Sequence, residues 1–202
     1  MLRPQLTDLI AAAGDLLRRD DLPFALAWPA AGPLRASPAC GLPVLRWLPA
    51  ACAAGTPAEL MAALLAAAPH LAWGQTYAAA DIDAAFLDRY GWTELIGLRG
   101  PVPSRHLAAG FLLLGPDTHY PRHSHAAEEL YLPLSGTAAW QRGDAPWQER
   151  AAGDCVHHPG GMPHAMRTGA APLLAFYVWR GGDLAEKSRF DPAGTAAPAN
   201  GR

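Results

Sequence analysis

The chain has 202 residues, with 16 basic and 18 acidic side chains and a net charge of -2. That length holds one domain with a full core and some added helices, and the near balance of charge, without a basic stripe, argues against a nucleic-acid partner. Cys40, Cys52 and Cys155 form no CxxC-type pair, and an odd, scattered set fits a reducing compartment rather than a disulfide framework.

The N-terminal run MLRPQLTDLIAAAGDLLRRDD is broken by charges. It reads as neither a signal peptide nor a membrane span, so the expected setting is cytoplasmic. Leu6, Leu9, Ile10, Ala13, Leu16 and Leu17 recur at helical spacing and predict an amphipathic helix over 5–19. Its apolar stripe is expected to cover the main domain or a partner subunit. Residues 21–50 are rich in Pro and Gly, carry Trp28 and Trp47, and read as an irregular wrap. Thr56-Pro57-Ala58-Glu59 is a helix-start pattern with Thr56 as cap and Glu59 closing a capping box. That helix should run to Ala68. A third helix is expected from Asp81, carrying Ile82, Ala85, Phe86 and Leu87 and ending at Gly91.

After Gly91 short apolar or alternating runs follow, at 92–98, 107–114, 128–133, 137–142, 147–150, 154–158, 164–168 and 173–179. Turn pairs punctuate them, which predicts a small all-β sandwich or barrel. The chain divides on this reading into a helical extension over 1–91, a β-barrel over 92–184 and a loose polar tail over 185–202.

The chemistry gathers in the run from His119 to Tyr131. His123, His125, Glu129 and Tyr131 share one parity, and side chains of equal parity share one face of a strand. A bend at Ala126-Ala127 would carry the pattern from one strand to the next. Downstream, a Pro/Gly turn ends in His164. Three imidazoles and one carboxylate suit a borderline divalent transition metal. His157 and His158 are adjacent, so one faces inward and one outward, and neither holds a ligand position. Glu128 has the wrong parity for the cavity.

The spacing His123-x-His125-x3-Glu129-x6-Gly136, followed by Gly153-x5-Pro159-x-Gly161-x2-His164, resembles the two motifs of the cupins. Thr168 stands where the second motif usually carries Asn. Tyr120 and Tyr131 around the first motif, with His164 and Trp179 after it, resemble the cupin-type dimethylsulfoniopropionate (DMSP) lyases, closest to the group with helices before the barrel. Trp73-Gly74-Gln75-Thr76-Tyr77 and the run from Phe86 to Gly97 add to that likeness, which covers residues 70–180.

The resemblance implies a mainly β fold, a cupin double-stranded β-helix (jelly-roll barrel) with an N-terminal α-helical extension. It implies one divalent transition metal, zinc, iron(II) or manganese, on His123, His125, Glu129 and His164. It also implies a β-elimination that splits the sulfonium carboxylate DMSP into dimethyl sulfide and acrylate. Metal binding would stabilise the negative charge that develops as the α-proton leaves. Tyr120 and Tyr131 are the two candidates for the base, with Tyr120 preferred and Tyr131 read as a metal-adjacent ligand or polariser. A free tyrosine titrates near ~10, so bringing it to about 7 requires roughly 4 kcal/mol of preference for the phenolate, a scale that a nearby divalent cation supplies. Aromatic faces bind sulfonium cations; Trp179, Tyr77, Trp73 and Trp92 are the candidates. The expected partner is a small-molecule substrate, with no membrane and a monomer or homodimer. The same ligand set also serves dioxygenases and isomerases acting on other small carboxylates, and a non-catalytic ligand-binding cupin is the third reading.

Overall fold

In a computed structural model, the described residues are 4–18, 22, 28–29, 32–36 and 38–191. Among the described residues the α-helices are α1 (Pro4–Leu16), α2 (Leu48–Ala53), α3 (Ala58–Ala67) and α4 (Ala84–Asp88), the last lying between the first two strands. Short 3-10 turns over Pro43–Trp47 and Ala68–His70 link them. The strands are β1 (Trp73–Gly74), β2 (Tyr90–Gly97), β3 (Val102–Pro103), β4 (Leu107–Leu114), β5 (His119–Ser124) and β6 (Glu128–Ser135). They continue as β7 (Thr137–Arg142), β8 (Gln148–Ala151), β9 (Val156–His158), β10 (His164–Thr168), β11 (Leu173–Arg180) and β12 (Arg189–Phe190).

Two sheets face each other. The larger runs β1-β2-β4-β11-β6-β9, with β3 beside β2, and the smaller runs β12-β5-β10-β7-β8. Apart from the parallel β2–β3 pair, the pairings are antiparallel. This is the jelly-roll barrel with its helical extension.

Both faces of the larger sheet are covered, which explains the unbroken apolar runs in its central strands; β4, Leu-Ala-Ala-Gly-Phe-Leu-Leu-Leu, is buried throughout. Its outer face packs Phe111, Leu113, Leu130, Leu132, Phe176 and Val178 against Leu6 and Leu9 of α1, Leu48 of α2 and Leu60 and Leu64 of α3. The stripe of α1 therefore covers this chain's own barrel. Its inner face and the smaller sheet enclose Tyr90, Leu112, Tyr120, Tyr131, Trp140 and Met166. Each large apolar side chain taken out of water stabilises by roughly 1.5–3 kcal/mol. Gly136 of the first motif turns β6 into β7 at φ +76°, and a Cβ there would meet Pro172 O at 2.2 Å, so the turn takes no side chain.

The helix boundaries depart from the sequence reading in three places. The irregular wrap read over 21–50 ends instead in a 3-10 turn and α2, which together span 43–53; Val44, Leu48, Ala51 and Cys52 are buried there, so tertiary packing outweighs the Pro-rich composition. Thr56 does not cap α3. The cap position is Pro57, which has no side-chain hydrogen bond, and the Thr56 N–H is taken by Leu134 O at 2.9 Å. Asp81 does not start α4 either; Asp83 does, by accepting from the Phe86 N–H at 2.8 Å. Nor does Gly91 end that helix, because it already lies inside β2. Position 19 at the end of the predicted first helix, much of 21–37 and the end of the chain from 192 fall outside the described residues.

The barrel also reaches past the limits read from sequence. β1 and the first residues of β2 precede residue 92, and β12 follows residue 184. The described part of the polar tail is built into the molecule: Arg189 and Phe190 pair with Ser124 and His123. The Phe190 ring also stacks on Tyr77 at 4.3 Å.

Candidate metal centre and cavity

The first motif folds as the alternation predicts. β5 ends at Ser124, the chain bends at Ala126 and Ala127, and β6 opens at Glu128. β10 then lies beside β5 with His164 opposite His123. Across the barrel, Glu129 on β6 stands opposite Trp179 on β11 and His158 on β9. Hence one sheet brings His123 and His164 and the other brings Glu129; His125 sits at the bend between them.

His125, Glu129 and His164 place ligand atoms within 4.8 Å of one another, and all three are buried. His125 Nε2 lies 2.9 Å from Glu129 Oε2. His164 Nε2 lies 3.2 Å from the same oxygen yet makes no hydrogen bond. His123 falls outside that group of three, although its ring sits 4.2 Å from that of His164. The other ring nitrogens are tied to backbone carbonyls: His123 Nδ1 to Pro121 O at 2.8 Å, His125 Nδ1 to Ala127 O at 3.0 Å and His164 Nδ1 to Met162 O at 2.9 Å. A proton on each Nδ1 leaves each Nε2 as a lone pair. Two such lone pairs aimed at one carboxylate oxygen ask for a cation between them. This donor set fits a divalent metal.

The electrostatics agree. Burial pushes the Glu129 carboxyl up, but His125 and His164 outweigh it and hold the group well below the usual carboxylate range. Burial pushes His125 down, and Glu129 beside it reverses that shift upward. His123 is held well below its ordinary value by burial and by His164. Two neighbours steady the centre. Trp179 donates its indole N–H to Glu129 Oε1 at 2.5 Å and stacks on His125 at 4.0 Å. His158 stacks on His164 at 4.0 Å. The inward position of His158 follows from parity, while His157 pairs outside with Glu128 at 2.7 Å.

A cavity of about 240 Å³ opens beside this centre. His123, Glu129, Tyr120, Tyr131, Trp179 and Trp92 line it, so it joins most of the predicted site residues; His125 and His164 lie behind its wall. One inner row of the larger sheet runs Glu94, Gly110, Tyr177, Tyr131 across β2, β4, β11 and β6. Gly110, in the middle of that row, lets β2 and β4 approach closely, since a Cβ there would meet Thr93 O at 1.8 Å. Tyr120 lies flat on His123, with ring centres 4.0 Å apart and planes 10° apart. Burial and neighbouring phenols push its hydroxyl pKa well above the ordinary value, and burial with Glu129 does the same for Tyr131.

Two predicted substrate residues are elsewhere. Trp73 pairs with Thr93 on the edge of the larger sheet and therefore shares the outer face with the helices. It lines a separate cavity, between the 33–36 segment and β1. Tyr77 stands behind Tyr120 and lines an outer cleft with Asp81, Lys187 and Ser188. Conversely, Tyr90, Tyr177, Glu94, Arg99 and the 184–188 segment line the main cavity without having been singled out. Parity along β2 and β11 marks the first three as inward but does not separate a cavity wall from a packed core. The 184–188 segment carries no periodicity at all.

Residues 26–175 match the dimethylsulfoniopropionate lyase family. The dimethylsulfoniopropionate lyase DddQ of Ruegeria pomeroyi is 39% identical over 124 residues, or 61% of this chain and 62% of that protein. The matched stretch thus spans less than two thirds of that curated relative. Over the whole fold the likeness extends further. The crystal structure of DMSP lyase DddQ from Ruegeria pomeroyi DSS-3 superposes with a TM-score of 0.83 at 31% identity, covering 96% of this chain and 99% of that one. A structure described with the DMSP lyases RdDddP and RnDddQII gives a TM-score of 0.83 at 36% identity, covering 94% and 98%. With a family match over residues 26–175, on a barrel of the same shape, the chain belongs to the dimethylsulfoniopropionate lyase family.

Proposed function

We propose that this protein is a carbon–sulfur lyase that splits dimethylsulfoniopropionate into dimethyl sulfide and acrylate. The observation that carries the reading is the buried Glu129 converging with His125 and His164 at a cavity wall that also presents two tyrosines. His125, Glu129 and His164 would hold one divalent transition metal, with His123 as a fourth ligand beside them. Bound there, the ion supplies Lewis-acid stabilisation for the charge that develops on a substrate carboxylate.

The chain's own residues do the rest. Tyr120 faces the cavity and lies against His123, and it takes the α-proton. Tyr131, beside Glu129, polarises the carboxylate end. Trp179, Trp92 and Tyr177 offer aromatic faces along the cavity, each worth ~0.5–2 kcal/mol toward a sulfonium cation. As the proton leaves, the C–H electrons form the new C=C bond and the C–S electrons leave with sulfur.

The test is headspace measurement of dimethyl sulfide from purified protein given dimethylsulfoniopropionate without oxygen, with zinc, iron(II) or manganese added in turn. Release with at least one metal is the expected result. No release with any of them, with turnover of another carboxylate only under oxygen, would replace this reading with a dioxygenase.

A further inference from the structure

The Tyr120 hydroxyl is not isolated behind the cavity. It donates to the Tyr77 hydroxyl oxygen at 3.3 Å and lies 3.5 Å from that of Tyr90. The two neighbours differ in where they lead. Tyr90 donates to Thr76 Oγ1 at 2.8 Å, which also receives the Trp92 indole N–H at 3.0 Å, so that branch stays within the cavity wall. Tyr77 instead lines an outer cleft with Asp81, Lys187 and Ser188, the last two forming a wall shared with the main cavity. Its ring is held from three sides: edge-on by Tyr120 at 6.0 Å, stacked by Phe190 at 4.3 Å, and with the Lys187 ammonium 5.6 Å above it. Lys187 is itself tied to Asp81 at 2.7 Å. Tyr77 thus joins the buried Tyr120 to a second opening.

The chemistry gives this contact a task. Splitting a sulfonium carboxylate into a sulfide and an unsaturated acid releases one proton for each molecule consumed. A base that is only 3% exposed must hand that proton on before it can act again. While substrate or product fills the cavity, the free side of Tyr120 is the side that meets Tyr77.

We propose that Tyr77 carries the abstracted proton from Tyr120 to the outer cleft, and so resets the base between turnovers. This rests on the lyase reading and on Tyr120 as its base. The step begins with Tyr120 as the phenolate: the substrate C–H bond breaks and its proton forms the Tyr120 O–H bond, while the C–S electrons leave with sulfur. Tyr120 then passes a proton to the Tyr77 oxygen while the Tyr77 hydroxyl proton passes to water in the cleft. One proton leaves the protein, Tyr77 ends as it began, and Tyr120 is again free to accept.

The experiment compares a first turnover, with enzyme in excess, against steady-state turnover in wild type and Tyr77→Phe. The variant keeps the ring and its packing and loses only the hydroxyl. The expected result is a first turnover within about two-fold of wild type, a kcat lower by about ten-fold, and an unchanged KM. Added imidazole, a small proton carrier, should restore much of the lost kcat. Wild-type kcat in Tyr77→Phe would overturn the inference, and so would an equal loss in first and later turnovers, which is the mark of a purely structural role. Should Tyr77→Phe not fold, Ser188→Ala is expected to give the same split, since Ser188 lines the outer cleft beside Tyr77; no split there would overturn the inference too. The lyase reading fails separately, if wild type releases no dimethyl sulfide. The base assignment also fails separately, if Tyr120→Phe turns over like wild type.

Discussion

Trp179 and Glu129 face each other across β11 and β6, joined by an indole N–H to carboxylate bond of 2.5 Å. The same indole ring stacks on His125. A tryptophan that reads in sequence as a substrate-facing aromatic therefore also touches two residues of the candidate metal centre. The residue lines the cavity as well, so both roles belong to one side chain.

Trp179→Phe separates these roles, because phenylalanine keeps an aromatic face but has no N–H. Partners that orient metal ligands typically change metal affinity by about 10–100-fold when lost. The expected outcome is weaker zinc binding in a competition titration, by about ten-fold, with the fold retained. Wild-type affinity would reduce Trp179 to a wall residue.

Removing a ligand should do more. His125→Ala or Glu129→Ala is expected to abolish stoichiometric metal uptake, read by elemental analysis after dialysis against zinc. Glu129→Ala has a second consequence: it removes the carboxylate that lies against both His125 and the Trp179 indole N–H. Full metal content in either variant would sink the assignment of the centre.

Gly110→Ala tests the close approach of β2 and β4. An added Cβ would sit 1.8 Å from Thr93 O on the neighbouring strand. β2 and β4 would have to part at the middle of the sheet, where no flexible side chain can yield. Overpacking a well-packed site costs typically 1–3 kcal/mol, and a backbone obstacle belongs at the upper end. A loss of about 3 kcal/mol in denaturant unfolding is expected; an unchanged midpoint would contradict the close approach.

Glu128 supplies a pH dependence outside the metal centre. Arg180 Nε bonds its carboxylate at 2.5 Å and His157 lies on its other oxygen at 2.7 Å, and Arg180 foremost holds the carboxyl below its ordinary value of 4.5. A carboxyl whose pKa is lower folded than unfolded adds stability above the unfolded value, and this is lost as pH falls through the folded one. Glu128→Gln should therefore lower Tm near neutral pH, by less than about 1 kcal/mol for a half-exposed pair. The gap from wild type should close as pH drops below about 4.5. A gap that widens in acid would reverse the sign of this account.

The barrel strands were legible because period-two alternation and turn pairs are local. The eight runs expected after Gly91 all became strands, with ends shifted by one or two residues. β5 was absent from the apolar runs because His119, Pro121, Arg122 and Ser124 give it no apolar rhythm; only the alternation of His123 and His125 marked a strand there, and it pairs on both sides with β10 and β12. α2 escaped because two prolines obscured it, though both fall at or before the first turn, where no N–H is missed.

By itself the sequence determined the alternating face of His123, His125, Glu129 and Tyr131, the two motif spacings and the helical layer before the barrel, since each is a matter of residue type and period along a continuous run. Tertiary structure decided what those residues meet. It set Tyr77 against Tyr120 from 43 positions away. It sent Trp73 to the outer face through its pairing with Thr93, and it folded the polar 184–188 segment over the cavity. Such contacts depend on strand order and on packing between distant segments, and neither leaves a period in the chain.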